Sequence, residues 1–278
     1  MASNRHIITA IDSHAHVFVR GLQLASQRRH APDHDATLNE YMALLDRHGV
    51  SHAVLVQPSF LGTDNRFMLD AIRAQPQRLR GVAVIEADAD DDQLRLLADG
   101  GIVGVRLNLI GLPAPDYTRG PWQRFLARVR ELDWHVELHC ELHELPLAGQ
   151  PVLDAGCNLV VDHFGRPQRS GNRGLEWLLG AARSERTWVK LSAAYRNWTE
   201  MNGPSACAAA QTLLDTFGAA RLVWGSDWPH TQHLGVANYP SAHAALAKWV
   251  PDAAARRSIL IDTPAELFHF LPGDNHAE

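Results

Sequence analysis

Two histidines two residues apart, in Asp12-Ser-His14-Ala-His16, are the first residues with chemistry to offer. In an extended segment, positions i and i+2 point the same way, so the two imidazoles converge on one point. A pair of loop histidines would look the same. A second candidate is Trp224-Gly-Ser-Asp227-Trp-Pro-His230, where a carboxylate stands just past a short apolar run. A helix cap or turn carboxylate would also sit there. Two further runs end in Val161-Asp-His163-Phe-Gly-Arg166-Pro and in His135-Val-Glu-Leu-His139-Cys-Glu141. His139 shares a face with His135 and Glu137, opposite Val136 and Leu138. Each histidine alone could be a hydrogen-bonded structural residue. The set of His14, His16, His139, His163 and Asp227 is more telling, and it leaves two chemistries open. Neutral imidazoles and one carboxylate can hold a single zinc with a coordination position left for water. Without a metal, Asp227 would take a proton from water while imidazoles polarise a carbonyl.

Arginines form a second group. Arg106 lies in an apolar run, Arg166 follows His163, and Arg196 follows another run. The planar guanidinium matches carboxylates, so several at one rim would suit an anionic substrate; surface solvation or structural ion pairing is the plainer role. Ser59, after Gln57-Pro58, could donate a hydrogen bond to substrate or cap a turn. The chain has no dinucleotide-type or phosphate-loop glycine motif and no Gly-x-Ser-x-Gly nucleophile elbow. Cys140 is next to His139 but has the parity of Val136 and Leu138, which turns its thiol away from the histidines.

Eight short apolar runs must position these groups: His6–Ile11, Ala53–Val56, Gly81–Ile85, Ile102–Leu107, Trp134–Leu138, Leu159–Val161, Trp188–Leu191 and Leu222–Trp224. They are β-branched and bounded by turn residues, which reads as buried parallel strands. Helical spacing marks 38–47, 65–74, 93–98, 121–132, 175–183, 206–217, 241–249 and 252–260 between or after them. Thr63 or Asp64 is a suitable N-cap for the second, and Pro121 suits the first position of the fourth. Alternation of this kind predicts a single-domain α/β chain over residues 1–278, a closed (β/α)8 barrel, with a doubly wound open sheet as the competitor. In such a barrel the active site lies at the C-terminal ends of the strands, where the five candidate residues map. The polar stretch from Arg20 to Asp35 has room for a lid or substrate loop.

Composition narrows the partners. The 278 residues carry a formal charge of −5 and 46% hydrophobic residues, which is globular and too acidic for a broad nucleic-acid surface. No run reaches the roughly 18 apolar residues that span a bilayer, so no membrane partner is expected. Three scattered cysteines, Cys140, Cys157 and Cys207, argue against a disulfide framework and for a cytoplasmic protein. Apolar helix faces leave room for a homodimer.

The chain resembles the amidohydrolase superfamily, in the branch of 2-pyrone-4,6-dicarboxylate lactonase and the sugar lactonases. The resemblance rests on Ile11-Asp-Ser-His-Ala-His-Val-Phe18, Val56-Gln-Pro-Ser59, Gly62-Thr-Asp-Asn65, Leu69-Asp-Ala-Ile72 and Arg80-Gly-Val-Ala-Val84. It continues through Gly104-Val-Arg-Leu-Asn108, Val161-Asp-His-Phe-Gly-Arg-Pro167 and Val223-Trp-Gly-Ser-Asp-Trp-Pro-His230. It implies a distorted β/α barrel that opens a lactone without a required metal. It also implies Asp227 as the base for water and His14, His16 and His163 around the lactone carbonyl. Arg106 and Arg196 would hold carboxylates, with Ser59 and Arg166 nearby. The chain departs from the pyrone-dicarboxylate enzyme in three places. Gly111-Leu112 stand near a second arginine of that enzyme, His139 stands in place of a tyrosine, and a substrate tyrosine is missing near His30. His139 restores a histidine where metal-dependent amidohydrolases often place a ligand, while no lysine stands there to bridge two metals. The expected activity is hydrolysis of a small carboxylated lactone. A metal-dependent decarboxylase or other amidohydrolase is one rival, and a barrel that binds a small anion without turnover is another.

Overall fold

The computed structural model describes residues 7–167, 173–198, 201 and 203–270. Eight parallel strands run in sequence order around one sheet: β1 Ile11–Ala15, β2 His52–Val56, β3 Leu79–Ala83, β4 Ile102–Asn108, β5 His135–His139, β6 Asn158–Val161, β7 Thr187–Ser192 and β8 Leu222–Gly225. A parallel bridge from Ala15 to Trp228 brings the last strand back to the first. This is the distorted (β/α)8 barrel, closed at its C-terminal rim by His16 N–H donating to Trp228 O at 2.8 Å and Asp227 N–H to His14 O at 2.8 Å. Gly225 permits that approach, since a Cβ there would lie 2.5 Å from the Cβ of His14.

Helices α1 Leu38–Arg47, α2 Arg66–Ala74, α3 Asp91–Asp99, α4 Gly120–Glu131, α5 Leu145–Asp154, α6 Arg173–Ala181, α7 Pro204–Phe217 and α8 Tyr239–Trp249 surround the strands. Their apolar faces and the outward faces of the strands form one continuous core. Thr37 and Glu40 start α1 with a reciprocal capping box, as Asp90 and Gln93 do for α3.

Three sequence expectations need correction. The first strand begins at Ile11 rather than ending there, so His14 lies within the strand; His6 is outside the described residues. The cap of α2 is Asn65, not Thr63 or Asp64, and its side chain instead ties Thr63 O and Val84 to the loop. Helix α5 was not anticipated, because Leu-Pro-Leu-Ala-Gly-Gln-Pro-Val-Leu-Asp carries Pro146, Gly149 and Pro151. Tertiary packing overrides those poor propensities: Gly149 accepts the ring of Trp177, where a Cβ would come within 2.4 Å.

The barrel interior has two halves. At the N-terminal end, Ile11, Val54, Val56, Val82, Val103, Val160 and Val223 pack against Ala265, Leu267 and Phe268, so the chain's last described segment plugs the barrel from below. Above them, on β1, β4, β5 and β7 and just past β6, the interior becomes charged. Among the described residues, no helix is long and apolar enough to cross a membrane.

Candidate active site

Above the apolar plug lies a sealed ionic layer made by His14, Arg106, Glu137, Asp162 and Lys190, none more than 4% exposed. Each is an inward position on β1, β4, β5 or β7, or the first residue past β6. Lys190 Nζ donates to Glu137 Oε2, lies 3.0 Å from His14 Nδ1 and pairs with Asp162 Oδ1 at 3.4 Å. Arg106 Nη2 donates to Asp162 Oδ2 at 2.9 Å, and its Nε lies 3.3 Å from Glu137 Oε1. Two cations and two carboxylates thus balance, which is the condition for burying charge at tolerable cost. Burial, and then the neighbouring Asp162, push Glu137 up to about 7 against Lys190 and Arg106. Burial also acts to raise Asp162, but Lys190, His14 and Arg106 outweigh it and hold that carboxyl well below its ordinary range.

The next layer up carries the predicted site. His14, His16 and His163 gather with ring centroids 4.9–5.0 Å apart from that of His14, and His139 lies 5.0 Å from His163. Burial, the leading cause in each case, keeps His14 and His139 well below the usual imidazole range and brings His163 down to about 3. These three are therefore neutral at neutral pH. Asp227 stands opposite. Its Oδ2 is filled by the Tyr195 hydroxyl and by Arg196 Nε at 2.7 Å. Its Oδ1 is turned to the histidines, 3.7 Å from both His14 Nε2 and His16 Nε2. Burial favours protonation of Asp227, but Arg196 and then the histidines hold it well below the carboxylate range, so it is an anion.

The loops after β6, β7 and β8 place these groups at a backbone cost. His163, Phe164, Arg166, Ala193, Asp227 and His230 all have positive φ without being glycine. Each such residue costs about 1–3 kcal/mol, and such clusters mark sites where surrounding structure dictates the geometry.

A cavity of about 320 Å³ opens over this layer, within the range of small-ligand sites. His16, Ser59, Arg106, His139, His163, Arg166, Arg196 and Asp227 all line it, while His14 lies beneath its floor. So all nine predicted residues come together. The three arginines are less free than their sequence positions suggested. Arg196 is committed to Asp227 and, through Nη2, to Thr231 O at 3.2 Å. Arg166 spans Arg196 O and Glu141 Oε1, each at 3.1 Å.

Five participants were missed. Lys190 and Tyr195 sit where strand parity and proximity to Arg196 could have suggested them. Asp162 and Glu137 were visible beside the histidines. Arg29, also unforeseen, comes from the loop of 20–35, whose base is clamped by mutual Phe18–Ala36 backbone bonds of 2.9 and 2.8 Å. It donates to Asn108 Oδ1 at 2.9 Å and lines the cavity with His30. Burial, then Arg106, Arg166 and Arg196, lower its basicity, so the cavity gathers four guanidinium groups. Cys140 is buried in the barrel–helix core, where burial pushes its thiol up to about 12, so it supplies no thiolate.

Donor atoms for one metal ion exist. His14, His16 and Asp227 form one group with ligand atoms within 4.8 Å of one another, and His14, Asp162 and His163 form another. Their hydrogen-bond partners differ from those a metal requires. A ligating histidine donates its second N–H to an acceptor. His16 does, with Nδ1 2.7 Å from Val56 O, whereas Nδ1 of His14 faces the ammonium of Lys190 at 3.0 Å and a carboxylate oxygen, Asp162 Oδ1, at 3.3 Å. The nearer of the two is a donor, which opposes a metal at Nε2 of His14.

Comparison with known proteins shows the family. The amidohydrolase family model matches residues 11–270. A structure from Pseudomonas putida, provisionally named a 2-pyrone-4,6-dicarboxylic acid hydrolase, is 45% identical, with 95% of this chain and 99% of that one covered and a TM-score of 0.87. A "probable" hydrolase of the same acid from Acinetobacter baumannii, solved with citric acid bound, is 38% identical, covering 94% and 100%, with a TM-score of 0.90. The 4-sulfomuconolactone hydrolase of Rhizobium radiobacter is 30% identical over 93% of this chain and 89% of its own.

Proposed function

The chain belongs to the amidohydrolase family, and from that premise we propose that it hydrolyses a small, multiply anionic lactone of the 2-pyrone-4,6-dicarboxylate type. The observation that carries this is Asp227, with one oxygen sealed by Arg196 and Tyr195 and the other open to neutral imidazoles, under a cavity rimmed by four guanidinium groups. Hydrolysis needs an acceptor for the proton of water, donors for the oxyanion and a hold on the substrate. Asp227 Oδ1 is the acceptor. His14, His163 and His139 surround the carbonyl as neutral rings, and a buried N–H there stabilises developing negative charge more than it would in water. Arg29, Arg106, Arg166 and Arg196, with Ser59, hold the anionic substituents.

A carboxylate held as low as Asp227 is a weak base. Arg196 lines the cavity while bonded to Asp227, so a substrate carboxylate arriving there adds negative charge beside Asp227 and raises its basicity. Binding and base activation are thereby linked. The relatives fit this substrate class: two are named as probable or provisional hydrolases of a pyrone dicarboxylate, one of these solved with citric acid bound, and a third is named for a sulfomuconolactone. Arg29 also lines a neighbouring cavity together with Gly111 and Leu112, the segment where the resemblance implies an arginine that this chain lacks.

No metal is required in this reading. The paired donor sets favour one rival, a metal-dependent amidohydrolase acting on a small carboxylic acid. Ring opening of 2-pyrone-4,6-dicarboxylate, followed by ultraviolet absorbance in chelator-treated buffer, separates them. The expected result is full turnover that added zinc does not increase. Turnover that appears only on adding metal supports the rival. Thermal stabilisation by the lactone without any product would mark a binding protein instead.

A further inference from the structure

We propose that two buried cations, Lys190 and Arg106, set the tautomers of His14 and His139 so that each presents an N–H, not a lone pair, to the active site. Arginine has five donors and no acceptor, and it is not deprotonated in proteins. Arg106 Nη2 lies 3.1 Å from His139 Nδ1, so that nitrogen must accept. A neutral ring then carries its proton on Nε2. Lys190 does the same to His14. Its ammonium also has donors only; it donates to Glu137 Oε2, lies 3.0 Å from His14 Nδ1 and is ion-paired with Asp162 Oδ1 at 3.4 Å. A proton on His14 Nδ1 would face the Lys190 donor at 3.0 Å, nearer than the carboxylate oxygen of Asp162 at 3.3 Å.

The atoms left over agree. Nε2 of His14 and Nε2 of His139 are both buried and have no hydrogen-bond partner. An orphaned buried donor costs about 1–3 kcal/mol, and that cost is recovered when an acceptor arrives. His16 has the opposite arrangement: its Nδ1 gives its proton to Val56 O, so Nε2 is the nitrogen that can present a lone pair. The His-x-His pair is therefore split into one donor and one acceptor. A metal needs two lone pairs there. An oxyanion beside an attacking water needs a donor for the one and an acceptor for the proton of the other. Lys190, which touches neither cavity nor substrate, is a positioning residue that keeps His14 on the donor side. Its consequence for catalysis rests on the lactone reading; the tautomers themselves do not.

The test is a long-range proton–nitrogen correlation spectrum of the histidine rings in 15N-labelled wild-type protein. It is recorded in chelator-treated buffer, with His14→Gln and His139→Gln used for assignment. The expected pattern is Nε2–H for His14 and His139 and Nδ1–H for His16. A His14 or His139 ring with its proton on Nδ1 overturns the inference. Lys190→Met then probes the cause. Losing the ammonium should let His14 move its proton to Nδ1, 3.3 Å from Asp162 Oδ1, and free Nε2 as a ligand. Zinc titrated calorimetrically into this variant should bind roughly tenfold or more tighter than to wild type, the scale of such outer contacts on metal affinity. Unchanged affinity together with an unchanged His14 tautomer overturns the role of Lys190. If Lys190→Met does not fold, zinc titrated into wild type decides: stoichiometric binding that shifts His14 Nε2 overturns the proposal, and binding that leaves it unmoved supports it. Turnover is scored separately on the same samples. Expected tautomers without lactone turnover refute the lactone reading alone, and turnover with Nδ1–H on His14 refutes this inference alone.

Discussion

The two ends of the barrel interior are built from the same strands and differ sharply in chemistry. On β6, Val160 packs into the apolar plug, and Asp162, two residues on, binds Arg106. On β8, Val223 belongs to the plug, while Gly225 makes room for His14. On β5, His135 contacts Phe268 at the floor, Glu137 joins the ionic layer and His139 lines the cavity. The lower end gains stability from apolar burial and closes the barrel to water. The upper end holds strained backbone and nearly balanced charge, which cost stability and supply directed groups. One structure tolerates the second because the first supports it.

The largest contrast should come from Asp227→Asn. It keeps the shape of the site and removes the proton acceptor, so kcat should fall roughly thousandfold while KM changes little. Near-normal turnover in that variant would remove Asp227 from the mechanism. At the other end, Phe268→Ala opens a cavity in the plug and should cost about 3 kcal/mol, a fall in Tm of about 5 °C, with kcat at low temperature preserved. A loss of kcat without loss of Tm would show that the two ends are not separable.

Acid should reach both ends through their histidines. His135 and His163 are brought to about 3, first by burial, from an ordinary 6.5. The unfolded chain takes up those protons below about pH 6.5 and the folded chain does not, so their contribution is full above that pH and is lost as pH falls. Each should steepen the decline towards about 1.4 kcal/mol per pH unit between roughly pH 6 and 4. Denaturant unfolding across that range measures it. His163→Asn should remove one part of the slope and His135→Phe the other. The smallest effect is expected from Arg29→Met, which should raise KM for a dianionic lactone about tenfold, or about 1.4 kcal/mol, and change kcat far less. A monoanionic lactone should be less affected; equal losses for both would make Arg29 a structural residue.

Strand periodicity was legible because a parallel barrel buries both faces of its strands, which leaves short β-branched runs between helices. The His-x-His pair, His163, His139 and Asp227 were legible because they lie immediately at the ends of those runs. Helix α5 was hidden by its prolines and glycine. Lys190 was hidden because a lysine inside an apolar run reads as a solvent-facing residue until its three partners are seen. Arg29 was hidden in a polar loop with no periodicity to orient it.

By itself the sequence determined the order of the eight strands, the family and the nine candidate residues that gather at the C-terminal rim. These follow from local patterning and from side chains placed directly by strand parity. Only the tertiary structure decided which atoms of those residues are free. The division of Asp227 into a sealed and an open oxygen depends on Tyr195 and Arg196, 32 and 31 positions away. The tautomer of His14 depends on Lys190, 176 positions away and two strands round the barrel. Hydrogen-bond direction is a property of contacts, and contacts between distant strands exist only once the barrel has closed.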